Sequence, residues 1–256
     1  MRDPHVVSLT YKVTSPETVR FDSAPPVVFD TAQMRITLAP GMLTVEPKTH
    51  FASAERAREA IDPFLRSWEI DAALRFGRSE IVFAFEDAQI VDRDPPKPGS
   101  PHTIEVASVE TASAFDKVTV TVSRGKYPEP PSFFTASPDV ETLWQRYQGY
   151  LDGREPLLSM AYFCLTLLES GGRNRRAAAN AFGISKEVLD KLGELTSKRG
   201  DARTARKFGR AASRTPLTIA ESSWVEEATK VLIRRVGETS HVATRPMVTM
   251  ADLPPL

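Results

Sequence analysis

The sequence predicts an α+β protein in two parts, a mostly antiparallel sheet with a covering helix followed by an all-helical bundle. Three observations predict it. Apolar and polar residues alternate in several stretches of the first 126 residues, the period of half-buried strands. The run Lys126–Ser132 carries Pro128, Pro130 and Pro131, which fix φ and remove backbone donors, so neither strand nor helix continues through it. Beyond Ser137, apolar residues recur at helical spacing. The expected division is a β-rich domain over 1–126, a linker over 127–137, a bundle over 138–240 and a disordered tail over 241–256, where Pro246, Pro254 and Pro255 fall.

The first strand is expected over 6–14, with Val7, Leu9, Tyr11 and Val13 on one face. Met34, Ile36 and Leu38 lead into Ala39-Pro40-Gly41 and on to Leu43 and Val45. Pro presets one turn dihedral and Gly takes the positive one, so 33–46 reads as a hairpin. Ser53 is placed to cap a helix bearing Ala57, Ile61, Leu65, Trp68 and Ala72, with a kink or a break expected at Pro63. Ile81, Phe83 and Phe85 resume the alternation. Asp94–Gly99 reads as a loop, and further strands are expected around Ile104 and Val106 and over Val118–Val122.

In the second part, Ser137-Pro138 is a strong helix start, a capping hydroxyl followed by Pro at the first helical position. Leu157–Leu168 is apolar on nearly every side, as expected of a helix at the centre of a bundle. Thr218 and Glu221 stand in the T-x-x-E relation of a capping box. Trp224, Val225, Ala228, Val231, Leu232 and Val236 follow as a stripe.

Composition excludes several function classes. The 33 basic residues cancel the 33 acidic ones, and the single cysteine, Cys164, allows no internal disulfide. Leu157–Leu168 is too short to span a bilayer, and the N-terminus lacks a signal-peptide pattern. We therefore expect a cytoplasmic protein with no membrane partner. No glycine-rich phosphate loop is present. His50 and His102 read as isolated surface or capping histidines, and Glu86-Asp87 as solvated charges. No metal and no cofactor is expected. Cys164 reads as a small core residue, without a local base to activate it.

Charge is segregated despite the neutral total. Residues 173–214 hold twelve Arg and Lys against four Asp and Glu, an excess of eight positive charges. The candidate nucleic-acid contacts are Arg175, Arg176, Lys186, Lys198, Arg199, Arg203, Arg206, Lys207 and Arg210. The last four fall at spacings of three and four, which align them if Asp201 caps a short helix. Such a stripe matches a phosphate backbone, and it equally suits a solvated face paired with carboxylates elsewhere.

Within this segment, Ala179, Gly183 and Leu189 have the spacing of a helix-turn-helix: a small residue, a turn glycine four residues later and an aliphatic plug six beyond. Residues 175–192 thus resemble that family. The resemblance implies a reading helix starting near Ser185, with Ser185, Lys186, Glu187 and Asp190 outward. The two acids can accept from cytosine but repel phosphate. The same pattern describes an ordinary helical corner.

Arg235 and His241, with five residues between them near the end of a predicted bundle helix, are similar in spacing to the Arg and His of the HEPN group of RNA-cleaving helical domains. That resemblance implies a His that shuttles a proton at the ribose hydroxyl and an Arg that holds phosphate. Val236 departs from the polar residue usual after that Arg, and Gly237 is expected to end the helix before His241. Three functions follow as expectations. The first is a non-enzymatic binding or adaptor protein whose basic helical face contacts DNA or RNA. The alternatives are a HEPN-like ribonuclease and a protein–protein module with no nucleic-acid role. The apolar helix and the edge strands permit a homo-oligomer.

Overall fold

A computed structural model of the protein describes residues 3–16, 19–21, 23–76, 81–94, 122–172, 174–200, 215–239 and 245–256. The fold is α+β. Strands and one helix form a first unit, Met1–Pro130, and the remaining helices a second, Pro131–Leu256.

The first unit holds strands β1 (Pro4–Thr14), β2 (Val19–Arg20), β3 (Val27–Asp30), β4 (Met34–Ala39), β5 (Met42–Pro47), β6 (Val82–Asp92) and β7 (Val122–Ser123), with helix α1 (Ala54–Phe76) before β6. Five strands form one antiparallel sheet in the order β3-β4-β5-β1-β6, and β2 pairs with β7 in parallel. The predicted hairpin is β4–β5. Ala39 pairs with Met42 across Pro40-Gly41, and Gly41 has φ of 78°, a conformation that a side chain disfavours.

One face of the sheet is buried. Leu9, Tyr11, Ile36, Leu38, Leu43 and Val45 meet Ala57, Ile61, Leu65, Trp68 and Ala72 of α1. Trp68 is fully buried, with Phe29, Phe64 and Phe83 around its ring and its indole N–H donating to the Pro128 carbonyl at 3.0 Å. Burial of this order stabilises by about 3 kcal/mol or more per large aromatic. The opposite face carries Thr10, Lys12, Arg35, Thr37, Thr44 and Glu46, none of them buried. This polar-out alternation is that of a sheet with one wet face.

Three details depart from expectation. The phase of β1 is not uniform, since Val6, not Val7, is buried along with Leu9 and Tyr11. The register shift between Val6 and Ser8 places its extra residue, Val7, in β1, whereas the shift between Thr10 and Tyr11 places its extra residue in β6. An extra residue reverses the side to which every following side chain points. Secondly, α1 runs as one helix through Pro63. Ser67 donates to the Pro63 carbonyl at 2.7 Å within it. Thirdly, His50 is not isolated. Its ring stacks on His5 with centroids 5.1 Å apart, and its Nε2 lies 3.3 Å from Asp3. Of the later strands, Ile104, Val106 and Val118–Thr121 lie outside the described residues, as does His102.

The second unit holds α2 (Pro138–Leu151), α3 (Leu157–Gly172), α4 (Arg175–Phe182), α5 (Lys186–Lys198) and α6 (Ile219–Gly237), with a short 3-10 turn at Met250–Asp252. The predicted starts appear. The Ser137 hydroxyl accepts from the Val140 amide at 3.3 Å. Thr218 and Glu221 close the capping box with bonds of 3.1 and 2.9 Å, each satisfying an orphan amide. The apolar α3 is central, packing against α2, α4, α5 and α6. Cys164 on it is buried beside Met160, and burial pushes its thiol up to about 12, consistent with an inert core thiol.

The proline-rich stretch is held at both ends by its own units. Tyr127 stacks on Phe21 in the first, and Thr135 donates to the Gly237 carbonyl in the second. The expectation of a disordered tail is corrected for 245–256. Val248 forms a parallel bridge with Ile184, and Val248 and Leu253 are buried. Prolines stop a helix but not an extended strap, and the strap hides two apolar side chains. Residues 241–244 lie outside the described residues.

Candidate nucleic-acid interface

The α4–α5 pair has the geometry of a helical corner. Asn174 caps α4 by accepting from the Ala177 amide at 2.9 Å. Gly183 ends it in the left-handed region at φ 60°, which is why glycine stands there. Ser185 caps α5. Ala179 and Leu189 are buried at the crossing, as the resemblance implies for the small residue and the plug.

Five of the nine candidate cations are described, and four of these are paired. Arg175 reaches Glu169 at 2.6 Å and Asp190 at 3.2 Å. Lys186 bonds Asp190 at 2.5 Å, and Lys198 lies 3.6 Å from Glu194. Arg199 places Nε and Nη2 on one oxygen of Glu221, at 3.0 and 2.7 Å. Arg176 is exposed and has no ion-pair partner among the described residues. The carboxylates respond as paired groups. The Lys186 ammonium and then Arg175 hold Asp190 below the ordinary carboxylate range, and Lys191 followed by Lys198 does the same for Glu194. For Glu221 the backbone amide of Thr218 acts first and Arg199 second.

Arg203, Arg206, Lys207 and Arg210 lie outside the described residues. The stems on either side of them are placed. Gly200, just after α5, donates its amide to the Thr215 carbonyl at 3.0 Å, and Arg199 is tied to Glu221 at the start of α6. The last residue described before this stretch and the first described after it are thus hydrogen-bonded to one another. By sequence, positions 201–214 carry five basic residues and one acidic residue.

The C-terminal strap closes the other side of the corner. The Ser185 amide donates to the Val248 carbonyl at 2.7 Å, and the Val248 amide donates to the Gly183 carbonyl at 2.9 Å. The strap is held at its start by arginines. Arg235 donates to the Pro246 carbonyl at 2.6 Å, and Arg245 reaches the buried Glu238 at 2.8 Å. Arg235 itself is buried, and burial lowers its affinity for the proton. Helix α6 ends at Gly237, as expected, and His241 lies outside the described residues. No signal in the local sequence marks Glu238 or Val248 as partners of these groups, because both pairings depend on how the chain folds back.

In the first unit a hollow of about 180 Å³ lies between α1 and β6, bordered by Tyr11, Arg58, Asp62, Arg66, Glu69 and Phe85. Its charges are paired: Tyr11 donates to Asp62 at 2.7 Å, Arg58 reaches Asp62 at 3.1 Å, and Arg66 bonds Glu69 at 2.9 Å. Among the described residues there is no group of three or more metal-ligating side chains, and no helix is long and apolar enough to cross a membrane. Neither family models, nor curated proteins, nor solved structures contain a match to this chain.

Proposed function

We propose that the protein is a non-enzymatic binding protein of the cytoplasm whose helical unit contacts nucleic acid. The observation that carries this reading is the basic composition of positions 201–214. Positions 201–214 hold Arg203, Arg206, Lys207, Arg210 and Arg214 against Asp201 alone, and their stems are clasped by the Gly200–Thr215 bond. Arg175, Lys186, Lys198 and Arg199 are paired with the chain's own carboxylates, and half of the positive excess of the 173–214 segment falls within positions 201–214. A short run of like charge suits a phosphate backbone, where each neutralised phosphate releases a counterion.

The test is binding of a labelled duplex and a labelled RNA across a salt series. Replacing Arg203, Arg206, Lys207 and Arg210 together by Ala is expected to flatten the log–log salt slope by up to about 4, since each phosphate contact contributes roughly one. Absence of any complex at low salt, or an unchanged slope in the variant, overturns the reading.

A second reading is favoured by the ion pairs themselves. With four of the five described candidate cations already partnered, the helical unit also suits a protein–protein module with no nucleic-acid role. The ultraviolet absorbance ratio of protein purified at low salt separates the two. The HEPN-like ribonuclease alternative would need the Arg235 guanidinium, which donates to the Pro246 carbonyl, to be released toward a phosphate.

A further inference from the structure

Strand β6 is the last in the order β3-β4-β5-β1-β6, and among the described residues no strand pairs with its far side. It runs for 11 residues, against 4 in β3 at the other edge, and spans about 36 Å. Edge strands are ordinarily blunted by short length, Lys, Pro or a bulge, because their unpaired backbone groups template pairing with another chain. Val82–Asp92 contains no Lys, Arg or Pro and keeps only the last of these devices, at Glu86, which has no partner in β1. Val82, Ile90 and Val91 on this strand are exposed. Near its start the Phe83 amide donates to a carboxylate oxygen of Glu69 on α1 at 2.7 Å, so a side chain, not a strand, satisfies that group.

The hollow of about 180 Å³ between α1 and β6 is smaller than a pocket for a drug-sized ligand and suits a single side chain. Its apolar lining is Leu65, Phe83, Phe85 and the Tyr11 ring. The charges beside them are already engaged. Arg58 meets Asp62 and lies 4.3 Å over the Phe85 ring, and Arg66 meets Glu69. An incoming group thus finds no net charge to neutralise, and an apolar one enters at the lower desolvation cost. The other face of β6 differs. Asp87 stands opposite Thr10 on the polar face of the sheet, next to Glu86 in the chain. Both carboxylates are exposed, and neither is in an ion pair among the described residues.

We propose that the groove between β6 and α1 docks an extended segment of another protein by strand addition. The main chain of that segment pairs with the β6 edge, one apolar side chain fills the hollow, and a basic side chain on the opposite face meets Asp87 and Glu86. Side chains of an added strand alternate between the two faces, so the partner is a stretch of alternating apolar and basic residues. Main-chain bonds supply the affinity, and the hollow and the two acids supply the selectivity. A second copy of the chain is a poorer occupant. Antiparallel pairing of β6 with β6 over its full length sets the central Asp87 of each copy face to face, and like charges directly opposite destabilise a strand pair. The site is built from residues of the first unit alone, so it stands whether or not the helical unit binds nucleic acid.

The experiment is selection of displayed random peptides by the full-length protein, followed by anisotropy titration of the recovered sequence as a labelled synthetic peptide. The expected result is a recovered sequence in which apolar residues alternate with Lys or Arg. The double variant Glu86→Lys, Asp87→Lys changes only exposed side chains and is expected to unfold at the wild-type midpoint while binding that peptide about tenfold more weakly or worse. Methylating alternate backbone nitrogens along one edge of the peptide is expected to abolish binding, and along its other edge to change it by less than about twofold, because only one edge of an added strand pairs with β6. Recovery no greater than bare resin, a recovered sequence without the alternation, wild-type affinity in the charge-reversed variant, or equal effects of the two methylation patterns each overturn the proposal. A free protein that sediments as a dimer and takes up no peptide assigns the edge to a second copy and overturns it likewise.

Discussion

The amide of Ser185 donates to the carbonyl of Val248 across 2.7 Å, joining the cap of α5 to the strap that follows α6. That bond turns a two-helix corner into a three-element junction. The strap is anchored at Pro246 by Arg235, at Arg245 by Glu238, and at Leu253 by burial. The strap is thus part of the helical unit, and the unit's stability depends on residues that sequence periodicity leaves out of the bundle.

Leu253→Ala is expected to destabilise the helical unit by about 2 kcal/mol, at the low end for a buried leucine because the strap can settle into part of the space. Urea unfolding followed by circular dichroism reads this as a lower midpoint with an unchanged slope. A midpoint equal to wild type shows that the strap adds nothing to stability.

Gly237→Ala tests the seam between α6 and Phe134. A Cβ at position 237 falls 2.3 Å from Cε2 of Phe134, well inside contact distance, so the ring or the helix end must shift. Overpacking of this kind costs about 1–3 kcal/mol. The combination Gly237→Ala with Phe134→Leu, which removes the obstructing ring edge, is expected to lose less than the sum of the two single changes. Strict additivity contradicts the contact.

Gly183→Ala is expected to cost about 1 kcal/mol, because a side chain disfavours the left-handed conformation held there. Gly183→Asn, which tolerates that region better, is expected to fall between the two. Equal midpoints for all three proteins would contradict the left-handed cap.

The Glu221 carboxyl gives a pH dependence. In the folded protein it ionises below its ordinary value of 4.5, held by the Thr218 amide and by Arg199, so the folded state binds that proton less tightly than the unfolded chain. The resulting stability is complete above about pH 5 and is lost as pH falls through the folded value. Glu221→Gln is expected to lower stability by about 1–2 kcal/mol at pH 7 and to converge with wild type as pH falls below the folded value. Parallel stability curves over that range contradict the assignment.

The features legible in the sequence are those that neighbouring residues decide. Pro40-Gly41 makes its turn, Ser137 and Thr218 cap their helices, Gly183 ends α4, and the stripe from Ala57 to Ala72 finds the buried face of the sheet, each through sterics or hydrogen bonds spanning a few residues. The tally of positive charge over 173–214 was equally visible, but the availability of that charge was not. Arg199 meets Glu221, and Arg175 meets Glu169 and Asp190, only because the bundle brings separate turns together. The stacking of His50 on His5, the shift of phase in β1 and the docking of Val248 on Ile184 likewise depend on where distant segments pack. Local conformational preference therefore determined the elements and their ends. Only the tertiary contacts, which must outweigh the entropy of bringing remote segments together, decided which charges are neutralised and which face of α5 is closed.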